Sequence, residues 1–363
     1  MSRLRMAVIG VGHLGKEHAR ILAGLPDVEL VGVADVNLDQ AKAIASRFNT
    51  QAFADYWPLL NLAEAASIVV PTTYHHAVAS EFLRRGLHVL IEKPLALDVQ
   101  QCDSLVEIGQ RYNALIQVGH IERFNPAFED LMQRRLQPKV VNCERFGVFT
   151  GRSTDIGVVL DLMIHDLDLL LALVKSKVVD VQAVGLSVFG KHEDIGQAWL
   201  RFENGCMATV SVSRASVMPS RSMEVWSPEG FARVDFSTRK LTLLQPSDDV
   251  RQNGLDPRRL DAASLATLKD ELFTRHLQVL ELDRNQGDQL TRELQHFVNC
   301  VSTGQTPRVS GTDGSEAIAL AHRILDCMRA HRWDGSAEGP VGPTHLPAPL
   351  GPLFTPGEVR AVA

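Results

Sequence analysis

The stretch Met6-Ala7-Val8-Ile9-Gly10-Val11-Gly12-His13-Leu14-Gly15 constrains the fold of this chain more than any other. A short apolar run enters Gly-x-Gly-x-x-Gly, and a helical pattern follows through Leu25. Gly10 permits a tight turn, Gly12 lets a ligand approach the backbone, and Gly15 lets a helix pack close to the strand. A second apolar run, 28–34, ends in Asp35, 20 residues past Gly15. Strand, glycine turn, helix, strand and acid together predict a parallel βαβ unit that holds a dinucleotide. The free N–H groups at the helix start would take its pyrophosphate. The Asp35 carboxylate would accept hydrogen bonds from its ribose hydroxyls and repel a 2′-phosphate. Val36-Asn37-Leu38-Asp39 supplies no arginine to reverse that preference. NAD is therefore expected, with Gly10, Gly12, His13, Leu14, Gly15 and Asp35 as candidate cofactor-binding residues.

The alternation continues to about residue 120. Candidate strands lie at 5–10, 28–35, 51–54, 67–71, 88–93 and 115–119, with helical patterns near 13–25, 38–48, 75–86 and 98–112. That rhythm is the signature of a doubly wound parallel sheet of Rossmann type. Pro71 and Thr72, at the end of the fourth strand, should border the cofactor. His75 and His76 open the next helix and read as hydrogen-bonding residues of that helix start.

The fifth strand carries the reactive chemistry. His88-Val89-Leu90-Ile91-Glu92-Lys93-Pro94 is apolar up to an acid and a cation, and then meets a proline. Pro94 cannot donate a ladder hydrogen bond and disfavours helix before it, so the strand stops at the charged pair. Ligands of open parallel sheets bind at the carboxyl ends of strands. Glu92 and Lys93 thus join the candidate cofactor-site residues; the plainer alternative is a strand-end ion pair in solvent. Farther on, Asp161, His165 and Asp168 recur at i, i+4 and i+7 in a helical pattern at about 158–174, which predicts one shared face. Their neighbours are apolar, and buried ionisable groups must pair with each other or with a ligand. A self-satisfied polar stripe is one reading. A metal site with His120 or Glu122 lacks a close-spaced His/Cys set. Beside a nicotinamide site, acid–base chemistry is the leading reading.

At 363 residues the chain is long enough for about two domains. The expected division is a Rossmann domain over 1–120, a second α/β domain over 121–332 and a Pro/Gly-rich tail over 333–363. The second domain should carry a large, mostly antiparallel open sheet. Ala198, Leu200 and Phe202 alternate with polar or bulky residues, Asn204-Gly205 turns the chain, and the alternation resumes at Cys206. Trp199, Met207 and Trp226 hint that its outer face joins a second copy, as a homodimer or homotetramer. The stretch 247–290 reads as an excursion of short helices and a possible lid. Six of the seventeen prolines fall in the last 31 residues, so the tail is expected to be loosely ordered. A net charge of −6 argues against a nucleic-acid or acidic-membrane binder. No apolar run reaches membrane-spanning length. The basic start runs straight into the first strand, unlike a signal peptide. Five scattered cysteines without a Cys-x-x-Cys pair suit reduced thiols in a cytoplasmic protein.

Taken together, the Gly10–Gly15 turn, Glu92-Lys93-Pro94 and Asp161-x-x-x-His165 resemble the Gfo/Idh/MocA oxidoreductases over about residues 4–332. The resemblance implies a Rossmann domain followed by an open-sheet domain often used for oligomerisation. It also implies a catalytic lysine at Lys93, an aspartate–histidine pair at Asp161 and His165, and sugar, cyclitol or sugar-nucleotide substrates. The runs 117–126, 159–166 and 200–206 look like the branch that oxidises UDP-N-acetylglucosamine at its 3-hydroxyl for lipid A precursors. Imidazole suits proton removal near neutral pH, so His165 is the expected base, with Asp161 orienting its ring and Lys93 bonding the reacting oxygen. The reverse assignment, Lys93 as base, stays open. Arg123, Asn125, Arg152 and His165 are the candidate substrate contacts, with Lys191 a further cation for a diphosphate. The alternatives are a dehydrogenase of inositol or a free sugar, a glycosidase that recycles NAD, and a catalytically silent regulator.

Overall fold

The computed structural model describes residues 3–151, 156–284 and 287–351. Strands β1 (Leu4–Ile9), β2 (Val28–Ala34), β3 (Ala52–Phe53), β4 (Ala65–Ile68), β5 (His88–Glu92) and β6 (Ile116–Gly119) form one sheet in the order β3-β2-β1-β4-β5-β6. Every pairing in it is parallel. Helices α1 (Gly15–Gly24), α2 (Leu38–Phe48), α3 (His75–Leu83) and α4 (Val99–Arg111) connect the strands. Covered on both faces, β1 buries Met6, Ala7, Val8 and Ile9 completely or nearly so. β4 begins and ends earlier than the expected 67–71. The weak strand formers Ala65 and Ala66 are recruited by pairing with β1 and β5, and Pro71 instead caps a 3-10 turn over Thr72–Tyr74.

The second sheet has eight strands: β7 (Val140–Phe146), β8 (Val178–Leu186), β9 (Ile195–Phe202), β10 (Met207–Ser213), β11 (Ser220–Ser227), β12 (Gly230–Asp235), β13 (Lys240–Pro246) and β14 (Leu277–Asp283). Their order is β14-β13-β12-β11-β7-β10-β9-β8, and β7–β10 is its parallel pair. Val141 and Cys143 on the inner face meet Val225 and Met223 across the β7–β11 register. Helices α5 (Pro126–Met132) and α6 (Ile164–Val174) lie over this face, with Phe128, Leu167 and Leu170 buried in the same core. On the outer face Val140, Met207 and Trp226 stand side by side on three neighbouring strands, each about two-fifths exposed.

The structure revises three expectations outside the sheets' centres. The 247–290 excursion holds helices α7 (Asp248–Asn253) and α8 (Ala262–Glu271), but it also returns as β14, which adds an edge to the sheet. Helix α9 (Gln289–Thr303) does not pack as part of the second sheet: Leu294, Phe297 and Val298 enter the core around Met6, Val8 and Leu22. Helix α10 (Gly311–Ala330) packs on α4, α6 and β8 and so bridges both sheets. A boundary at 120 therefore separates the sheets but not the helices that cover them. The start of the proline-rich segment is docked. Arg332 bridges Val341, Trp333 Nε1 donates to Gly342 O at 2.9 Å, and Ser187 N donates to Pro343 O at 2.9 Å. The five cysteines are free, and burial pushes the Cys102 thiol up to about 12. No helix among the described residues is long and apolar enough to cross a membrane.

Candidate active site

The glycine turn sits where the strand order reverses between β1 and β4, the position at which doubly wound sheets take their ligands. Gly10 has φ +85°, and a Cβ there would lie 2.5 Å from Val69 O. A Cβ at Gly15 would overlap the Gly10 carbonyl, whereas nothing lies within 4 Å of one at Gly12. The turn is closed toward the protein and open toward a ligand. His13 and Leu14 are exposed at its rim. Asp35 is held against the turn, with Oδ2 accepting from Val11 N at 2.9 Å and Oδ1 from Asn37 N at 2.8 Å. A cleft of about 490 Å³ runs beside it, lined by Gly10, Gly12, Asp35, Pro71 and Tyr74, with Thr72 just beyond Pro71. Open backbone, helix start and a fixed carboxylate fit the pyrophosphate and ribose of NAD.

At the end of β5 the Lys93 side chain crosses to the second sheet's helices. Its Nζ donates to Asp161 Oδ1 at 2.9 Å and to the Asp161 carbonyl at 2.8 Å. The Lys93–Pro94 peptide is cis. Asp161 is not on an ordinary α-helix: Val159–Met163 forms a π-helical turn before α6. Such a turn inserts a residue into the helical period and rotates what precedes it. Asp161 therefore serves Lys93, and no hydrogen bond joins it to His165 among the described residues. Asp168 turns to Arg123 instead, at 2.8 Å. The expected common face is thus broken up: Asp161 and Asp168 pair with different residues, and His165 bonds neither of them. His165 Nδ1 is buried without a partner, and the His120 ring meets the His165 ring edge-on at 6.2 Å. Burial holds His165 well below the usual imidazole range, reinforced by Lys93, Arg145, His120 and Arg221. It is neutral at pH 7 and able to accept a proton.

Sequence reasoning missed the residues that fix this geometry. Buried Glu193, from the β8–β9 loop, accepts from Val159 N at 3.1 Å and so caps the helix start with a carboxylate. Gly157 makes room for it, since a Cβ there would overlap the Glu193 carboxylate. His18, fully buried on α1, holds Ser67 Oγ at 2.8 Å and faces Glu92 Oε1 at 3.2 Å. Glu92 lies over Gly119 and pairs with His18. Arg145 is clamped by Asp166 at 2.8 and 3.0 Å and by Glu122 at 2.9 Å, a buried network that anchors α6 beside His165. An arginine inside a strand followed by a Glu or Asp on a neighbouring helix leaves no periodic trace. The only signal was the excess of acids in apolar surroundings at 161–168.

Two expected substrate contacts are structural. Arg123 is buried between Asp168 and Asp313. Asn125 is fully buried: its side chain caps α5 through Ala127 N and donates to Phe236 O at 3.3 Å. Both residues are used to seat the 3-10 turn Ile121–Phe124. Arg152 lies outside the described residues. Lys191 is exposed on the β8–β9 loop, and Arg221 is exposed at the start of β11 next to Arg145. His75 bonds Pro94 O and Val70 O, both at 2.9 Å, as a structural helix-start residue. No group of three His, Cys, Asp or Glu among the described residues could hold a metal.

Comparison with known proteins identifies the family. Residues 4–120 match an oxidoreductase family with an NAD-binding Rossmann fold, and residues 132–233 match the GFO/IDH/MocA C-terminal domain. The UDP-N-acetylglucosamine 3-dehydrogenase of Acidithiobacillus ferrooxidans is 34% identical over 331 residues, covering 91% of this chain and 99% of that protein. Its solved structure superposes with a TM-score of 0.80 over 90% of this chain and 98% of its own. A myo-inositol 2-dehydrogenase of Thermotoga maritima is 25% identical over 353 residues, 91% of this chain and 97% of that protein. The chain belongs to the Gfo/Idh/MocA oxidoreductases and is an NAD-dependent dehydrogenase.

Proposed function

We propose that the protein oxidises a secondary hydroxyl of a sugar nucleotide, the 3-hydroxyl of UDP-N-acetylglucosamine, to the 3-keto sugar. The observation that carries the chemistry is Lys93, held on Asp161 beside the neutral imidazole of His165. The substrate assignment is supported by the end-to-end likeness to an enzyme of that name. NAD, when bound, accepts the hydride. His165 takes the hydroxyl proton, for which its neutral state is required. Lys93 donates a hydrogen bond to the reacting oxygen and favours its alkoxide character. Asp161 aims Lys93 through hydrogen bonds from Nζ to its carboxylate and its carbonyl oxygen. With Arg123 committed elsewhere, Lys191 and Arg221 are candidates among the described residues to meet a diphosphate.

The test is NADH formation from NAD with UDP-N-acetylglucosamine, N-acetylglucosamine and myo-inositol in parallel, with a trap for the keto product. A rise with the UDP-sugar alone supports the assignment. A rise with the free compounds favours a cyclitol or simple-sugar dehydrogenase, the second reading that the inositol dehydrogenase relatives recommend. Hydrolysis without net NADH, or NAD binding without turnover, would instead favour the NAD-recycling glycosidase or the silent regulator. The wider reading is a cytoplasmic enzyme with a cofactor domain up to about residue 120 and a substrate and oligomerisation domain from 121 to 332. Its copies would associate through the outer face around Val140, Met207 and Trp226; sedimentation of a Trp226→Glu variant tests that contact.

A further inference from the structure

Behind Lys93 and His165 lies a buried polar compartment that the reaction described above does not use. Helix α9 sinks Leu294, Phe297 and Val298 into the core of the first sheet and carries Glu293 in with them. Glu293 is 0% exposed, and neither carboxyl oxygen has a hydrogen-bond partner. Three further buried atoms nearby are also unpartnered: Gln117 Oε1, Gln289 Nε2 and His120 Nδ1. Two of them flank Glu293, and the third lies against His165. Gln117 Nε2 donates to the Glu293 carbonyl at 3.1 Å, Gln289 sits one turn before Glu293 on α9, and the His120 ring abuts His165. Native interiors seldom leave several polar atoms unpaired together, and water shared among two to four of them is the usual remedy.

The charged and titratable groups around the compartment come from every element packed against it. They are His18 from α1, Glu92 from β5 and Lys93 just after it, His120 after β6, Arg123 from the 3-10 turn, His165 and Asp168 from α6, and Glu293 from α9. Burial, Glu92 and Asp168 all push the Glu293 carboxyl well above the ordinary range, which favours its protonated form. Glu92, by contrast, is held as a carboxylate by His18 and Lys93, and its side chain is 12% exposed. One neutral and one ionised carboxyl within electrostatic reach of each other form a pair that a proton can traverse without creating a buried unpaired charge.

We propose that Glu293 relays the proton of the oxidised hydroxyl from His165 and His120, through shared water, to Glu92 and the solvent edge. The proposal rests on the reading of His165 as the base. As the substrate C–H bond breaks, its electron pair leaves with the hydride, and the O–H proton forms an N–H bond on His165. That proton passes through His120 and water to one Glu293 oxygen, while the proton already on Glu293 leaves the other oxygen for Glu92. No net charge remains on Glu293, and no further reactant is needed. Glu293 is thus a positioning residue that acts through His120 and His165.

Glu293→Gln keeps the shape but cannot pass a proton. The expected result, with NAD affinity unchanged, is a kcat about 10²-fold lower, the low end of what one proton-transfer group contributes, with a larger solvent deuterium isotope effect. Infrared spectra of the NAD-bound protein should show the carbonyl stretch of one protonated carboxyl group in the wild type and none from this group in Glu293→Gln. Glu293→Leu, which fills the same volume, should fold at least as stably as the wild type and share the lowered kcat. A wild-type kcat and isotope effect in Glu293→Gln, or no protonated carboxyl in the wild type, overturns the relay. His165→Asn separates the two readings: if it keeps wild-type turnover, the base assignment fails. The infrared band stands apart from the identity of the substrate.

Discussion

Lys93 and Asp161 meet at 2.9 Å, yet they come from regions built on different principles. Lys93 stands where a buried strand runs out, a position set by Val89, Leu90 and Ile91 before it and Pro94 after it. Asp161 stands on a π-helical turn that local sequence does not dictate; Glu193 from a distant loop and the ion pair itself hold it. A strand end is kept by many ladder hydrogen bonds and by core packing on two faces. An inserted helical residue is kept by the few contacts that need it. The difference suggests that the first region tolerates change around it, while the second fails when a remote support is removed.

The largest effect expected tests the shared ion pair. Lys93→Met should lower kcat by about 10³ while NAD still binds, because the donor to the developing alkoxide is lost. Retained turnover in that variant would dismiss the mechanism. Arg145→Met attacks the floor beneath His165 and strands Asp166 and Glu122 as buried carboxyls. Thermal or denaturant unfolding should report a loss of about 3–5 kcal/mol. Gly157→Ala leaves every reacting group in place but drives out the Glu193 carboxylate. It should cost about 2 kcal/mol of stability and several-fold in kcat, as expected when a cap and a strained turn are lost together. If kcat is unchanged, the π turn does not depend on its cap and the contrast with β5 weakens. The smallest effect is a displacement in pH. His165 must be neutral to accept a proton, and its proton affinity is lowered by burial, Lys93 and Arg145. Activity should therefore persist as pH falls through 6.5 and fail only below it. An acid limb in kcat/KM above pH 6.5 would point to a different base.

The contrast also explains what could be read from the chain. The glycine turn, Asp35 and the Lys93 strand end were legible because each is a local arrangement of a few consecutive residues whose backbone demands are specific. Asp161 and His165 were legible as a pair but not in their relation, since a four-residue spacing implies a shared face only on an unbroken α-helix. Arg123 and Asn125 looked like substrate contacts because they are polar residues in a loop beside the site. In the structure Asp168, Asp313 and the start of α5 claim them. Glu293 left a fainter signal, an acid on the apolar side of α9 among Leu294, Phe297 and Val298.

By itself the sequence determined the parallel βαβ order, the dinucleotide turn, the preference for NAD and the lysine at the end of β5. Periodicity, glycine and proline act within a dozen residues and need no distant partner. Tertiary structure alone decided that Asp161 serves Lys93, that β14 extends the second sheet, and that α9 returns to the first sheet with a buried acid. Each of these depends on groups far apart in the chain competing for the same partner or the same buried surface. Such a competition is settled only when the whole fold has closed.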